Sequence, residues 1–132
     1  MSNFIGRGPN SGPGTDFFPL SGSTASAPSI ALTATTATGA QIIHTADAAA
    51  QDVLYVTVSN NTSAAVTVFG LLGATATTSA IPLSVAAGGF SQIFNGNATI
   101  SKAGTLTMYA TTAASAGLTM YGFVARTYTA TS

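Results

Sequence analysis

The chain has 132 residues, enough for one domain with a single core and too few for two. Only Arg7, Asp16, Asp47, Asp52, Lys102 and Arg126 are charged, about a fifth of the usual dose, with no glutamate and a net charge of zero. That balance excludes electrostatic capture of nucleic acid or anionic lipid, and the lack of cysteine excludes disulfides and thiolate metal sites.

The first 28 residues hold four of the five prolines and five glycines, in runs such as Gly6-Arg7-Gly8-Pro9-Asn10 and Gly12-Pro13-Gly14. Proline removes a backbone donor and fixes φ, so residues 1–28 predict an extended arm rather than a helix or a central strand. Fully extended, the arm spans roughly 90 Å, several times the radius of a small domain. Two apolar plugs sit on it, Phe4-Ile5 and Phe17-Phe18-Pro19-Leu20. A floppy tail has no use for such plugs, so the arm is expected to be held by the chain's own sandwich or by another subunit, with another subunit the favoured reading.

Residues 29–132 predict one all-β domain. Thr, Val, Ile, Tyr and Phe favour strands, and no long run has helical period. Strands are expected over 29–36, 40–45, 53–60, 64–72, 81–86, 90–94, 105–111 and 118–127. Turn chemistry separates them: Asn60-Asn61-Thr62-Ser63 and Ala87-Gly88-Gly89 read as hairpin closures, and Asn95-Gly96-Asn97 as a tight turn. Ala103-Gly104 and Ser115-Ala116-Gly117 mark two more. About eight strands at this spacing predict an antiparallel β-sandwich, jelly-roll-like, preceded by the arm.

Alternation within the strands separates two faces. Leu54, Val56, Val58, Val66, Val68, Leu72, Leu106, Met108, Leu118, Met120 and Val124 form the expected inter-sheet core. The opposite positions place Tyr55, Phe69, Tyr109, Tyr121 and Phe123 among threonines, with almost no charge nearby. Solvated faces are normally charged, whereas interfaces are depleted in charge and enriched in aromatics, so these five residues are the expected subunit interface.

No catalytic constellation is visible. His44 with Asp47 supplies two ligands at most, too few to hold a zinc, and no Gly-x-Ser-x-Gly elbow is present. His44 is expected to be hydrogen-bonded near a strand end and Asp47 to make a turn. Asp16, Asp47 and Asp52 are the only carboxylates, and their placement does not suit a general acid/base pair. The glycine runs lack the strand and helix that flank a phosphate loop. The expectation is a non-enzyme without cofactor, metal or small-molecule substrate. The chain also lacks a signal-peptide pattern and any apolar run of the roughly eighteen residues that span a bilayer.

The segments Ile43-His44-Thr45-Ala46-Asp47-Ala48, Gln51-Asp52, Leu54-Tyr55-Val56 and Asn60-Asn61-Thr62-Ser63-Ala64-Ala65-Val66-Thr67-Val68 carry a resemblance. With Gly104–Tyr109 and Leu118–Val124, they resemble small virion proteins of tailed bacteriophages, of the head decoration (cement) type, over roughly residues 40–126. The resemblance implies a homotrimer on the outer surface of a capsid, made in the host bacterial cytoplasm, with the major capsid protein as partner. It assigns no ligand residues. The arm suits such a role, with Phe4, Ile5, Phe17 and Phe18 filling apolar pockets and Arg7 meeting a carboxylate. A tail, neck or head-fibre component is the alternative, and a carbohydrate-binding or adhesive sandwich a further one.

Overall fold

The structure, a computed structural model, describes residues 15–23, 28–73, 79–101, 104–111 and 117–128. Nine strands run through them: β1 (Thr15–Pro19), β2 (Ile30–Ala31), β3 (Gln41–Thr45), β4 (Ala50–Asn60), β5 (Val66–Leu72), β6 (Ile81–Val85), β7 (Phe90–Ser101), β8 (Thr105–Ala110) and β9 (Leu118–Tyr128). The described residues contain no α-helix. The strands form two antiparallel sheets, ordered β1-β9-β4-β7 and β3-β8-β5-β6, so the predicted all-β sandwich is correct. β2 continues the β1 edge, pairing with β9 at Met120 and Thr119 where β1 pairs at Phe123 to Thr127.

Only β5 and β6 are neighbours in both sequence and space among the described strands. Asn60–Ser63 and Ala87–Gly89 were expected to close hairpins, but each carries the chain from one sheet to the other. Turn residues specify a local reversal and do not say which sheet the chain enters next. Buried Asn60 ties these two crossings together. Its Nδ2 donates to the Ala64 and Val85 carbonyls at 2.9 and 3.0 Å, and its Oδ1 accepts from the Thr62 amide at 2.9 Å. Its own amide donates to Gly89, and that of Asn61 to Gly117.

The core lies between the sheets. Leu54, Val56 and Val58 of β4 face Val66 and Val68 of β5, Leu106 and Met108 of β8, and Leu118, Met120 and Val124 of β9. All are buried, and burying each such side chain contributes about 1.5–3 kcal/mol. Leu72 is only half-buried, while Leu71, on the outward face, is fully covered.

Two bulges break the period of two and change which side chains face inward. In β3 the register slips between Ile42 and His44, so Ile43 and His44 are both buried. In β7 it slips opposite Val56 and Thr57, and Ile93 and Phe94 both enter the core. The predicted turn at Asn95-Gly96-Asn97 is a further irregularity inside the twelve-residue β7, which does not end at Phe94. Gly96 has φ +80°, and the Asn97 Oδ1 accepts the Asn95 amide at 3.1 Å. Asn and Gly supply the left-handed geometry that a bulge and a hairpin share, so the signal was sound and its context was not.

The predicted first strand, 29–36, is reduced to Ile30–Ala31. The rest is a loop whose backbone bonds reach β9 and β8, Leu32 donating to Leu118 and Ala110 to Ala34. Ala34, Ala37 and Ala40 of this loop, with Ala80, pack over Leu71, Phe69 and Tyr109.

The described part of the expected arm belongs to the chain's own sandwich. β1 pairs with β9 over five residues, and Leu20 is 1% exposed in the core. Leu20 to Ser23 then passes to β3: the Gly22 amide donates to Ile43, and the Ser21 hydroxyl accepts from the Thr45 amide at 2.8 Å. This strap joins the edge strands of the two sheets. Its residues were expected to hold another subunit, but Leu20 has an intramolecular pocket to fill.

Candidate functional site

Two features stand out, one on the surface and one buried. The surface feature is the outward face of the β1-β9-β4-β7 sheet. Its outward positions include Phe17 and Pro19 of β1, Tyr121, Phe123 and Ala125 of β9, Val53, Tyr55 and Thr57 of β4, and Phe90, Gln92 and Asn95 of β7. None of the outward positions on these four strands carries a charge. Tyr55 and Phe123, directly opposite in the ladder, stack with ring centroids 4.8 Å apart and planes at 9°. Phe17 meets Phe123 edge-on at 5.8 Å, extending the row across three strands. Such pairs add about 0.5–1.5 kcal/mol beyond their buried area and hold the rings in fixed orientations.

The bulge in β7 completes this row. Gly96 lies against the Tyr55 ring so closely that a Cβ there would come within 2.9 Å of the Tyr55 hydroxyl. Thr119 and Tyr121 join their hydroxyls at 3.3 Å. The rings are ordered but not covered: Phe17 is 70% exposed, Phe90 76%, Tyr121 45% and Phe123 41%. Exposed aromatic side chains gathered on one sheet face make it the candidate surface for an interaction.

The buried feature is a cluster of His44, Asp52 and Arg126 at the strap. The β3 bulge turns His44 inward and across the sandwich to Asp52 of β4. His44 Nε2 donates to Asp52 Oδ2 at 2.6 Å, and its Nδ1 accepts from the Ser21 amide at 3.0 Å. Arg126, opposite Asp52 in the β4–β9 ladder, binds the carboxylate at both oxygens, Nε to Oδ1 at 2.7 Å and Nη2 to Oδ2 at 2.9 Å. The guanidinium also lies 4.5 Å over the Phe18 ring. Each partner is thus tied to a different element: β3, β4, β9, β1 and the strap meet at one carboxylate.

Burial on its own would raise the Asp52 pKa, but the hydrogen bonds and charges of Arg126 and His44 outweigh it, and the carboxyl titrates below its usual range. The bond to Asp52 likewise raises the pKa of Arg126, against the effect of burial, with a further bond to Tyr128. Both ring nitrogens of His44 are engaged, so in this geometry the imidazole has no free position to take a proton from a bound substrate. Among the described residues no three His, Cys, Asp or Glu side chains gather as a metal site.

The five expected interface residues fall on opposite outer faces of the sandwich. Tyr55, Tyr121 and Phe123 share the uncharged face, and Phe17 from the expected arm joins them. Phe69 and Tyr109 stack on each other at 4.9 Å on the other sheet, where the alanine loop leaves Tyr109 only 7% exposed. Phe18 points inward beneath Arg126. Phe4, Ile5 and Arg7 lie outside the described residues. Asp47 makes the expected turn, its carboxylate accepting from the Ala49 amide at 3.0 Å.

Sequence reasoning missed Phe90, whose alternation with Gln92 was the available signal, and the Asp52–Arg126 pair, whose members lie 74 residues apart. In comparisons with protein families, curated proteins and solved structures, none matched this chain.

Proposed function

We propose that the protein is a structural component of a tailed-phage virion, a decoration protein that binds the outside of an assembled head and self-associates as a homotrimer. The observation that carries this reading is the uncharged aromatic face over β1, β9, β4 and β7, on a chain with only 5% charged residues. A free monomer with that surface lacks the like-charge repulsion that keeps proteins apart, whereas a subunit buried among neighbours has no need of it.

The path of the chain supports the same reading. With β1 and β2 as one strand position, the orders β1-β9-β4-β7 and β3-β8-β5-β6 suit a jelly roll, an architecture common in viral capsid proteins and also in lectins. His44, Asp52 and Asn60, which carry part of the resemblance to decoration proteins, have buried structural roles. Their place in the pattern therefore fits a shared fold and leaves catalysis without support. A protein that binds only the assembled shell stabilises it by mass action, and many copies multiply the effect.

The test is electron cryo-microscopy of virions from cultures that make the chain, with the chain located by labelled antibody. A regular array over the head is expected. Label confined to tail, neck or fibres moves the protein to the alternative location, and unlabelled particles overturn the virion reading. Exposed rings beside the Gln92 and Asn95 side chains also suit a sugar, so binding of the isolated protein on a glycan array is the outcome that favours an adhesive sandwich. Because β1 and Leu20 belong to the fold, a truncation that probes capsid binding by the arm removes residues 2–14 and stops before Thr15. Undiminished decoration by that variant refutes a role for Phe4, Ile5 and Arg7.

A further inference from the structure

We infer that the outward face of the β1-β9-β4-β7 sheet, and not the opposite sheet, is where a second copy of this chain packs. The inference rests on the homotrimer reading above and assigns its surface. Of the aromatic clusters on the two outer faces, one is already largely covered. Phe69 and Tyr109 lie under Ala34, Ala37 and Ala40 of the chain's own loop, and Leu71 beside them is fully buried. The other cluster is open, with Phe17, Phe90, Tyr121 and Phe123 exposed.

Charge selects the occupant. A partner that set a Lys, Arg, Asp or Glu against this face would bury it without a counter-charge, because β1, β9, β4 and β7 offer none at their outward positions. The partner surface must be neutral over the whole footprint, which is unusual for a soluble protein and is met by this same face on another copy.

Two eleven-residue strands flanked by β1 and β7 present a face of roughly 700 Å², comparable with the 800 Å² or so that one protein contributes to a standard interface and shared between two neighbours in a trimer. The remaining polar positions, among them Thr57, Gln92, Asn95 and Thr119, lie between the rings and can hydrogen-bond across such a contact. Around a three-fold axis the contacts are heterologous, so each copy divides this face between its two neighbours. The capsid then meets some other part of the protein.

Single-cysteine variants test the assignment, since the natural chain has no cysteine to confuse the result. Under mild oxidation Tyr121→Cys and Phe123→Cys are expected to give cross-linked dimers on a denaturing gel. Ile42→Cys, equally exposed but on the other sheet, is expected to stay uncrosslinked. Sedimentation supplies the second readout: Tyr121→Asp is expected to lower the mass to that of one chain, 13.0 kDa, while Ile42→Asp keeps the wild-type mass. Circular dichroism of both Asp variants establishes that they remain folded, and if Tyr121→Asp does not fold, the cysteine pair decides alone.

Cross-linking at Ile42 but not at Tyr121 or Phe123 overturns the inference, as does an unchanged mass in folded Tyr121→Asp. A wild-type protein that sediments as a monomer but still decorates heads overturns this inference and leaves the virion reading standing. A trimer that binds no particle does the reverse.

Discussion

Asp52 is the residue whose loss reaches furthest. Fully buried, it accepts from Arg126 at both oxygens and from His44, and its partners belong to β9 and β3. Asp52→Asn keeps the shape but removes the charge opposite Arg126 and sets an amide against acceptor geometry. Breaking one partner of a buried ion pair costs roughly 3–5 kcal/mol, and urea denaturation at neutral pH is expected to show a loss of that size. The same group sets a pH dependence. Its folded pKa lies below the ordinary 3.8, so folding favours the ionised form. That contribution is complete above about pH 4 and drains away as pH falls through the lowered value. Wild-type stability is therefore expected to decline below about pH 4 more steeply than that of Asp52→Asn, an outcome that urea midpoints at several pH values check directly. In the sequence, His44 was legible as a hydrogen-bonded strand-end residue, but Asp47 seemed its nearest carboxylate. The true partner, Asp52, becomes visible only once the β3 bulge turns the ring inward, and a one-residue slip leaves no mark in composition or spacing.

At the scale of elements, β1 and its strap behave as core structure despite a composition rich in glycine and proline. Leu20→Ala is expected to lower stability by about 2–4 kcal/mol, as for any buried leucine, although the residue looks like part of a tail. A loss below 1 kcal/mol in thermal or urea unfolding would show that the strap is detachable. β9 contains a second sensitive point. Gly122 lies opposite Val56, and a Cβ there would collide with the Tyr55 carbonyl, a backbone atom that cannot move aside cheaply. Gly122→Ala is expected to cost roughly 3 kcal/mol and to lower the melting temperature accordingly. Most strands were legible because alternation is a direct consequence of one buried face: the inward residues of β4, β8 and β9 are those the pattern selects. What failed was local. The first predicted strand became a loop because alanines at 34, 37 and 40 are needed to cover Leu71 and Tyr109, and short side chains permit that close layering. Asn95-Gly96-Asn97 proved to be a bulge because its left-handed glycine serves either purpose.

For the molecule as a whole, the scarcity of charge was plain from the sequence, but the distribution of that scarcity was not. Of the charges within the described residues, Asp16, Asp52 and Arg126 occupy inward register positions, so the outer face they leave behind is bare. An assembly held by such a face has little for salt to screen. Its sedimenting mass is expected to stay constant from about 0.05 to 1 M sodium chloride, and dissociation at the higher concentration would point instead to ion pairs between copies. Assignment of the two aromatic clusters to different sheets was beyond sequence reasoning, since it depends on which strands pair across long separations. Those separations also govern how the chain reaches its native state. β1 and β2 wait for β9, roughly ninety to a hundred and ten residues later, and β3 waits for β8. Contacts this remote in sequence make the folding nucleus slow to assemble, on the scale of milliseconds to seconds, because most of the loop-closure entropy is lost before any pairing compensates. The same interlocking ties the departure of a strand to both layers, and in the virion role proposed above that cooperativity would slow the loss of copies from a particle outside a cell, where none replace those that unfold.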